Sequence, residues 1–523
     1  MARALPLWAA VAVATVVFAF VYPPFGVGPL AFLAVTPIAL VFLDPLVRCS
    51  TAKAAVAGLV FGELASLAIV GPWMYSAASI YFARSTTFAL AFTAFINATN
   101  VAIYYAPTFA LLRMLAGTSA LVRVLGSAAV WTTLEYVRAN TLLGNPWALL
   151  GQGLYDVPLL REAAGIGGVW LLTFACAAAG AGLGVALQPA IAPRQRRRAI
   201  GAALAAPLAL LLCGFVSRAI APQRAVAGMG PLRVAVVQAE IDSADLWKPE
   251  LRLAHVESYL ALTRTLAPGS VDLVVWPENA IPFLLDADLR TRAVVADLAR
   301  GLDAALLVGA PRSETSSFAG AATARFFNSA FLFPADGGAP KAYDKVRLLP
   351  YVEALPSLLG RAIDTPSDWQ AGAGYSAGTG TVLFDVRSWR IAPLICLEAV
   401  YPQYARAAVS AGADLLVNLS NDAWFSGGAG PEQHFAMSSL RAVESRRPLV
   451  RAANGGVSGA VDGGGNLAGP TLRRTRGVAV YTLEVPPAAH TLQQRVGDWF
   501  AALSALVAAT CLLKARRDGT RIT

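Results

Sequence analysis

The sequence predicts two parts, an α-helical membrane domain of about eight transmembrane helices and an extramembrane α/β domain. Of the 523 residues, 56% are hydrophobic and only 14% are charged, a far more apolar composition than that of soluble globular proteins. Apolar windows fill most of residues 1–217, and one more lies near the C terminus. Between them, over residues 218–493, short β-branched runs alternate with helical patterns, which indicates layered sheets covered by helices. These strand-like runs lie at 234–237, 273–275, 305–308, 391–395 and 415–417.

The apolar windows approach the length of about 20 residues that a helix needs to cross a bilayer. Eight windows are recognised, at 6–22, 27–43, 54–71, 87–112, 121–137, 163–187, 199–216 and 499–513. The second follows the first almost at once, which argues against a cleaved signal peptide. The fifth contains Arg123 and Glu135, and an acidic residue there either lines a polar cavity or makes an interhelical hydrogen bond. These windows predict domains at 1–217, 218–493 and 494–523.

Positive charge predicts the orientation of the chain in the membrane. Lysines and arginines fall on alternate connections between the windows, and by the positive-inside rule those connections are cytoplasmic. They are Arg48, Lys53, Arg113, Arg123, Arg194, Arg196, Arg197, Arg198, Lys514, Arg516 and Arg517. Both termini are therefore expected in the cytoplasm, and residues 218–493 in the periplasm of a bacterium with two membranes. Membrane topology also accounts for the net charge of +10, so no nucleic-acid partner is expected.

Cysteine usage excludes several classes of site. The five cysteines form no CxxC pair and have no histidines at metal-ligand spacing, so we expect neither a disulfide framework nor a metal site. No motif calls for a nucleotide, and no cofactor is expected. Four cysteines lie in or beside apolar windows, whereas Cys396 lies in the long polar segment. A lone thiol there is either buried and inert or reactive.

Three segments place an ionisable or nucleophilic residue directly after a strand-like run, where α/β folds expose functional groups. They are VVWPENA at 274–280, YDKVRLLPYVE at 343–353 and LICLE at 394–398. Taken singly, each has a simpler explanation: a helix cap for the glutamate, a solvated charge for the lysine and a core position for the cysteine.

Together, these segments resemble the Glu-Lys-Cys arrangement of the nitrilase superfamily. Within that superfamily, nearly the whole chain resembles the apolipoprotein N-acyltransferases. The resemblance extends to the frame of seven windows before the domain and one after it, and to VVQAEIDSADLWK at 236–248, FNSA at 327–330, NDAWF at 421–425 and PEQHF at 431–435. It implies a nitrilase-like αββα sandwich for the outer domain.

The resemblance also implies roles for the catalytic residues. Cys396 would be the nucleophile, and Glu278 would take the thiol proton and later return one to the leaving group. Lys345 would stabilise the oxyanion of the tetrahedral intermediate, with the backbone N–H of Leu397 as a second donor.

Further residues have candidate roles around this triad. Glu353 would hold Lys345 in place or lie on the surface, and Glu398 would stand beside the nucleophile or cap the following helix. Trp147, Trp424 and Phe425 are aromatic residues of the kind that lie at a lipid interface, which makes them candidates for substrate binding. Core packing is the alternative for all three.

The implied reaction moves a fatty acyl chain from a phospholipid donor, through a cysteine thioester, to the amino group of an apolipoprotein acceptor whose N-terminal cysteine carries diacylglycerol. This is the last step of bacterial lipoprotein maturation, and it places the enzyme in the lipid bilayer of the inner membrane. Two other classes stay open. One is a membrane-tethered amidase or nitrilase acting on small amides, and the other is a non-catalytic membrane protein that binds lipopeptides.

Overall fold

The computed structural model of the chain describes residues 5–81, 85–141, 143–220, 230–318, 321–350, 353, 374–425, 427–484 and 490–520. The chain divides into two compact units. The first contains Met1–Ala221, Gly427–Glu444 and His490–Thr523, and the second contains Pro222–Ser426 and Ser445–Ala489. The domain boundaries expected after residues 217 and 493 stay predictions.

Both units contain helices, which are numbered in chain order. They are α1 (Leu7–Phe20), α2 (Thr36–Phe42), α3 (Thr51–Ile69), α4 (Gly71–Ser76), α5 (Thr86–Asn97), α6 (Ile103–Met114), α7 (Ala120–Asn140), α8 (Pro158–Arg161), α9 (Ala164–Ala186), α10 (Pro193–Ile220), α11 (Arg252–Thr263), α12 (Leu289–Leu302), α13 (Pro402–Ser410), α14 (Gly430–Ser445), α15 (Leu492–Val496) and α16 (Trp499–Thr520).

Within the described residues, five helical segments of the first unit are long and apolar enough to cross a membrane. They are Thr51–Ile69, Thr86–Met114, Ala164–Ala186, Pro193–Ile220 and Trp499–Asp518. Two further apolar segments, Leu7–Phe20 and Gly28–Phe42, are shorter. Helix α7 has 21 residues but carries Arg123, Glu135 and Arg138. The helical membrane domain is therefore found as expected, while the count of eight spans stays a prediction.

Helices of the first unit pack through small residues and buried polar groups. A Cβ atom at Gly58 of α3 would lie 2.1 Å from the carbonyl oxygen of Tyr105 in α6, so only glycine allows this close approach. On α7, the carboxylate of Glu135 accepts hydrogen bonds of 3.0 to 3.1 Å from Trp131, Leu150 and Thr173. Because Thr173 belongs to α9, the acidic residue of the fifth window links two helices.

The second unit is built on two six-stranded sheets. The strands are β1 (Leu232–Gln238), β2 (Leu273–Val275), β3 (Ala305–Phe318), β4 (Ala321–Phe333), β5 (Lys341–Asp344), β6 (Phe384–Val386), β7 (Trp389–Ile395), β8 (Leu415–Asn421), β9 (Leu449–Asn454), β10 (Val457–Val461), β11 (Leu472–Arg473) and β12 (Gly477–Leu483). The first sheet has the order β12-β1-β2-β3-β4-β5, and the second has the order β11-β10-β9-β8-β7-β6. The strand-like runs recognised in the sequence lie in β1, β2, β3, β7 and β8.

The two sheets face each other between outer helices. Strand β1 contacts β9 and β10 of the other sheet, α11 and α12 pack on the first sheet, and α13 packs on β7. The central strands β1, β2 and β3 are parallel, as are β7, β8 and β9. Parallel strands require buried faces and crossover helices, which explains their near-continuous apolar sequences. The αββα layers confirm the predicted fold class of this part.

A buried hydrogen bond joins α11 to the loop after β2. The indole Nε1 of Trp276 donates to Thr263 Oγ1 at 2.9 Å, and that hydroxyl donates to the carbonyl oxygen of Tyr259 at 2.7 Å. The side chains of Trp276 and Thr263 are fully buried. Removing the hydroxyl would leave an indole N–H without an acceptor in an apolar core.

We therefore expect Thr263→Val to destabilise the second unit by about 1–3 kcal/mol, the usual cost of an unsatisfied buried donor. The melting temperature of the detergent-purified protein measures this change. Thr265→Val is the matched control, because the Thr265 hydroxyl makes a similar local bond at an exposed position. Equal melting temperatures for the two variants would contradict the stabilising role of the Trp276 bond.

Candidate active site

Three strand ends in the second unit carry the catalytic candidates. Glu278 lies three residues after β2, Lys345 directly follows β5, and Cys396 directly follows β7, at the start of a short 3₁₀ helix, Cys396–Val400. Strands β2 and β7 are almost wholly buried, whereas β5 is only partly buried. The three side chains are nevertheless buried too, with exposures of 6%, 1% and 6% respectively.

Lys345 lies between two carboxylates. Its Nζ atom is 3.1 Å from Glu278 Oε1 and 2.9 Å from Glu353 Oε1. Asn328 bridges the same pair, because its Nδ2 atom donates to Glu278 Oε1 at 2.7 Å and to Glu353 Oε1 at 2.9 Å. Glu353 therefore contacts Lys345, and its role in holding the lysine stays a prediction. Surface placement does not occur, because Glu353 is buried.

The ion pairs determine the charge of Lys345. Burial lowers the pKa of its ammonium, but the negative charges of Glu278 and Glu353 outweigh burial and raise the pKa well above its ordinary value. The lysine therefore stays protonated across the neutral range. An ammonium has three N–H donors, and within the described residues the two carboxylates accept from two of them, which leaves the third for a further acceptor.

Glu278 is held at both oxygens. Besides the two bonds to Oε1, the backbone N–H of Asn421, the last residue of β8, donates to Oε2 at 2.9 Å. The loop that carries Glu278 packs closely on β3, where a Cβ atom at Gly309 would lie 2.3 Å from the carbonyl oxygen of Pro277. A carboxylate oxygen accepts about two hydrogen bonds. Counting donors from the described residues alone, Oε1 therefore has two, whereas Oε2 has one and can accept from another.

Cys396 has an unusual backbone and an unreactive resting charge state. Its φ angle is +52°, in the left-handed region that non-glycine residues seldom adopt. Burial raises the pKa of its thiol, and the charge of Glu278 raises it further, against the opposing effect of Lys345. The thiol is therefore protonated at neutral pH, so that any nucleophilic role requires a base to remove its proton.

Glu398 joins the segment after the cysteine to the segment after the lysine. Its Oε2 atom accepts from the backbone N–H of Ile395 at 2.7 Å and from the Tyr343 hydroxyl at 2.8 Å. Its Oε1 atom accepts from the backbone N–H groups of Val346 at 2.6 Å and Arg347 at 3.1 Å. The bond to Ile395 caps its own 3₁₀ helix, and the other three tie the lysine segment to that helix. Burial raises the pKa of Glu398, and its backbone donors limit the rise.

The remaining candidates lie near the triad in sequence or in the other unit. Leu397 is buried in the first turn of the 3₁₀ helix, where backbone N–H groups have no partner within the helix. Trp424 and Phe425 belong to the second unit, and their ring centroids are 4.0 Å apart. Trp147 belongs to the first unit, where its indole is buried and its ring centroid lies 5.1 Å from that of Trp73. The indole Nε1 donates to Gln433 Oε1 at 2.9 Å. Roles for these residues in substrate binding stay predictions.

Two asparagines support the triad, although the sequence alone predicted no role for either. Asn328 lies within FNSA and Asn421 begins NDAWF, and both segments contribute to the family resemblance. The available signal was an asparagine amid apolar residues of a strand-like run, since such a buried amide needs hydrogen-bond partners. Within the described ranges, no group of three or more His, Cys, Asp or Glu side chains has the arrangement of a metal site.

Two family models match different parts of the chain. A carbon-nitrogen hydrolase family model matches residues 233–487, and a model of the apolipoprotein N-acyltransferase N-terminal domain matches residues 14–182. The chain is 33% identical to an apolipoprotein N-acyltransferase of Geobacter metallireducens, over 87% of this chain and 85% of that one. It is 34% identical to the apolipoprotein N-acyltransferase of Azotobacter vinelandii, over 95% and 92% of the two chains. A solved CN-hydrolase superfamily protein from Xanthomonas campestris is 21% identical, with a TM-score of 0.38 over 52% of this chain and 97% of that one.

The charges around Cys396 predict how its alkylation depends on pH. In the wild-type protein the raised thiol pKa keeps the reaction with iodoacetamide slow at neutral pH, and the rate should increase as pH rises towards that pKa. Glu278→Gln removes a negative charge that raises the thiol pKa, so we expect faster alkylation at each pH below the wild-type pKa. Peptide mass spectrometry of residue 396 measures the rate, and Glu257→Gln, which removes an exposed carboxylate, is the control. A rate in Glu278→Gln equal to or below that of the control would contradict this electrostatic account.

Proposed function

The chain belongs to the apolipoprotein N-acyltransferase family, and we propose that its second unit transfers a fatty acyl chain through a thioester on Cys396. One observation carries the assignment of roles: a protonated Lys345 lies buried between Glu278 and Glu353, which among the described residues accept from two of its three N–H groups. The proposed site therefore combines, in a buried environment, a cation for the oxyanion, a base for the thiol proton and a thiol nucleophile.

In the first half-reaction, Cys396 attacks the carbonyl carbon of a phospholipid ester. The thiol proton passes to Glu278, and the S–C bond forms as the carbonyl electron pair moves to oxygen. Lys345 Nζ and the backbone N–H of Leu397 donate to this oxyanion, and a single such donor is worth about 3–4 kcal/mol in related sites. The intermediate then expels the alkoxide of a lysophospholipid, which takes the proton back from Glu278. The products are a thioester and a lysophospholipid.

In the second half-reaction, the amino group of a diacylglyceryl-cysteine attacks the thioester carbon. Glu278 removes a proton from the attacking nitrogen, the same donors stabilise the second oxyanion, and the Cys396 thiolate leaves and is reprotonated. An amide on the acceptor and a free thiol result, so no proton or electron is left over. Glutamate acts as base and acid in turn, as microscopic reversibility requires.

Hydrogen-bond counting supports Oε2 as the proton-transfer atom of Glu278. Oε1 already accepts from Lys345 and Asn328, whereas Oε2 accepts only from the backbone of Asn421 among the described groups. Oε2 therefore has the lone pair that takes the thiol proton. The bond from Asn421 keeps that oxygen oriented without occupying it fully.

The first unit gives a reason why this chemistry is attached to membrane helices. Both the acyl donor and the acceptor are lipids, so a soluble domain would need access to the bilayer. Membrane-tethered hydrolysis of small amides is the alternative that the same triad supports, but it gives no role to five apolar helices long enough to span a bilayer.

Arginine contacts support the proposed orientation of the helical unit. Arg113, at the end of α6, donates to backbone carbonyl oxygens of the connection between α2 and α3, including that of Asp44 at 2.8 Å. Arg123, near the start of α7, donates to the Leu43 carbonyl and to Gln188, which follows α9. Three connections that carry positive charge therefore lie at one end of this unit. By the positive-inside rule this end faces the cytoplasm of an inner membrane, and the second unit faces the periplasm.

The reconstituted transfer reaction tests this function. Purified full-length protein in phospholipid vesicles should convert a diacylglyceryl-cysteine peptide to its N-acylated form, with a mass increase equal to one acyl chain of the vesicle lipid. Cys396→Ala should abolish the reaction, since no thioester can form. Cys176→Ala, which alters a buried cysteine of α9, is the control.

Ammonia release from short amides, combined with an unchanged peptide mass, would instead identify an amidase. Peptide binding without either product, equal in wild type and Cys396→Ala, would identify a non-catalytic binding protein.

A further inference from the structure

A second buried network lies behind the nucleophile and uses none of the triad side chains. Its centre is Asn418, in the middle of β8. The Nδ2 atom of Asn418 donates to two backbone carbonyl oxygens, that of Leu394 at 2.9 Å and that of Cys396 at 3.2 Å. One side-chain amide thus binds the main chain at residues 394 and 396, on either side of Ile395, the last residue of β7.

The network continues across the sheet. Leu394, Asn418 and Arg451 are direct neighbours on the parallel strands β7, β8 and β9. The Nη1 atom of Arg451 donates to Asn418 Oδ1, and its Nη2 atom donates to Asp422 Oδ2 at 2.6 Å. Ser420 donates to the other oxygen of Asp422 at 2.7 Å.

The orientation of the Asn418 amide follows from these partners. Because Arg451 is only a donor, the side-chain oxygen of Asn418 must face it, and both N–H groups must face the carbonyl oxygens. The side chains of Arg451 and Asp422 are both fully buried. Such a pair is costly to place in a core unless its geometry is well satisfied, so a specific role for it is expected.

We propose that Asn418, oriented by Arg451 and Asp422, is a positioning residue that holds the main chain of Cys396 in the conformation needed for attack. The inference rests on the proposed role of Cys396 as nucleophile. The left-handed φ of +52° at Cys396 needs support from its surroundings, and the amide of Asn418 supplies it at the carbonyl of the same residue. Asn418 itself touches neither donor nor acceptor lipid.

Asp422 also affects the pKa of the nucleophile. Its negative charge contributes to the raised pKa of the Cys396 thiol, after the larger effects of burial, Glu278 and Glu353. Arg451 neutralises this carboxylate at 2.6 Å. The network therefore fixes the backbone of the nucleophile while limiting the negative charge close to its sulfur.

Single-turnover acylation of full-length protein tests this role. The probe is phosphatidylethanolamine in detergent micelles, and the readout is the rate at which the acyl mass appears on the peptide containing Cys396. Asn418→Ala removes the amide. Asn418→Asp keeps its size but replaces the donor with an acceptor. Thr263→Val is the matched control, because it removes another buried hydrogen-bonding side chain of the second unit.

We expect Asn418→Ala and Asn418→Asp to slow acylation about 100-fold, as displacement of a reacting group by about 1 Å does. The apparent KM for phospholipid should stay within about twofold, since the lipid contacts are intact. In Asn418→Asp the added charge should also shift alkylation of Cys396 to higher pH. Thr263→Val should acylate at nearly the wild-type rate despite its lower stability.

The outcomes separate this inference from the proposed function. No adduct on wild-type protein would overturn the role of Cys396 itself. A wild-type adduct with Asn418 variants that acylate as fast as Thr263→Val would overturn the positioning role alone. Should Asn418→Ala fail to fold, Asn418→Asp decides the question, together with Arg451→Lys. Arg451→Lys keeps the positive charge but cannot contact Asn418 and Asp422 through two separate nitrogens. This variant should slow acylation without shifting the pH dependence of Cys396 alkylation.

Discussion

A buried ammonium between two carboxylates is the interaction on which the second unit depends. Lys345 can keep its charge in the interior only because Glu278 and Glu353 lie within 3.1 Å of it. These residues come from separate segments of the chain, so the cluster forms only when the strands are in register. Asn328 donates to both carboxylates and reduces their mutual repulsion. As far as the described part of the chain shows, the same bonds leave one ammonium N–H of Lys345 and one lone pair of Glu278 available for chemistry.

The two facing sheets supply different groups to the proposed site. The first sheet supplies the charged groups, since Glu278 follows β2 and Lys345 follows β5. The second supplies Cys396 after β7 and, at the end of β8, the backbone donor of Asn421. Glu398 links the two sets, because its carboxylate binds the backbone on both sides. The proposed nucleophile, Cys396, and its base, Glu278, are therefore held by different sheets. The packing of the two sheets determines whether these side chains come close enough to react.

The sequence predicted the parts of this arrangement that follow from hydrophobic pattern and from resemblance. Runs such as 273–275 and 391–395 are apolar because parallel strands are buried on both faces, so their ends were recognisable. Asn328, Asn418 and Arg451 could not be assigned, since their roles depend on neighbours across the sheet rather than along the chain. Helix α7 was hard to recognise as a span for a different reason. Its charged residues weaken the apolar signal, and only the fold reveals that Glu135 is satisfied by Trp131, Leu150 and Thr173.

Cys396 is proposed to carry the acyl group between two lipids, and every other role in the site depends on this one. Mass spectrometry of the wild-type protein after incubation with phospholipid alone, without acceptor, tests it most directly. We expect one fatty-acyl mass on the peptide containing Cys396, removed when a diacylglyceryl-cysteine peptide is added. Absence of that mass from folded protein supplied with several phospholipids, or an adduct that the acceptor peptide does not remove, would contradict this role of Cys396.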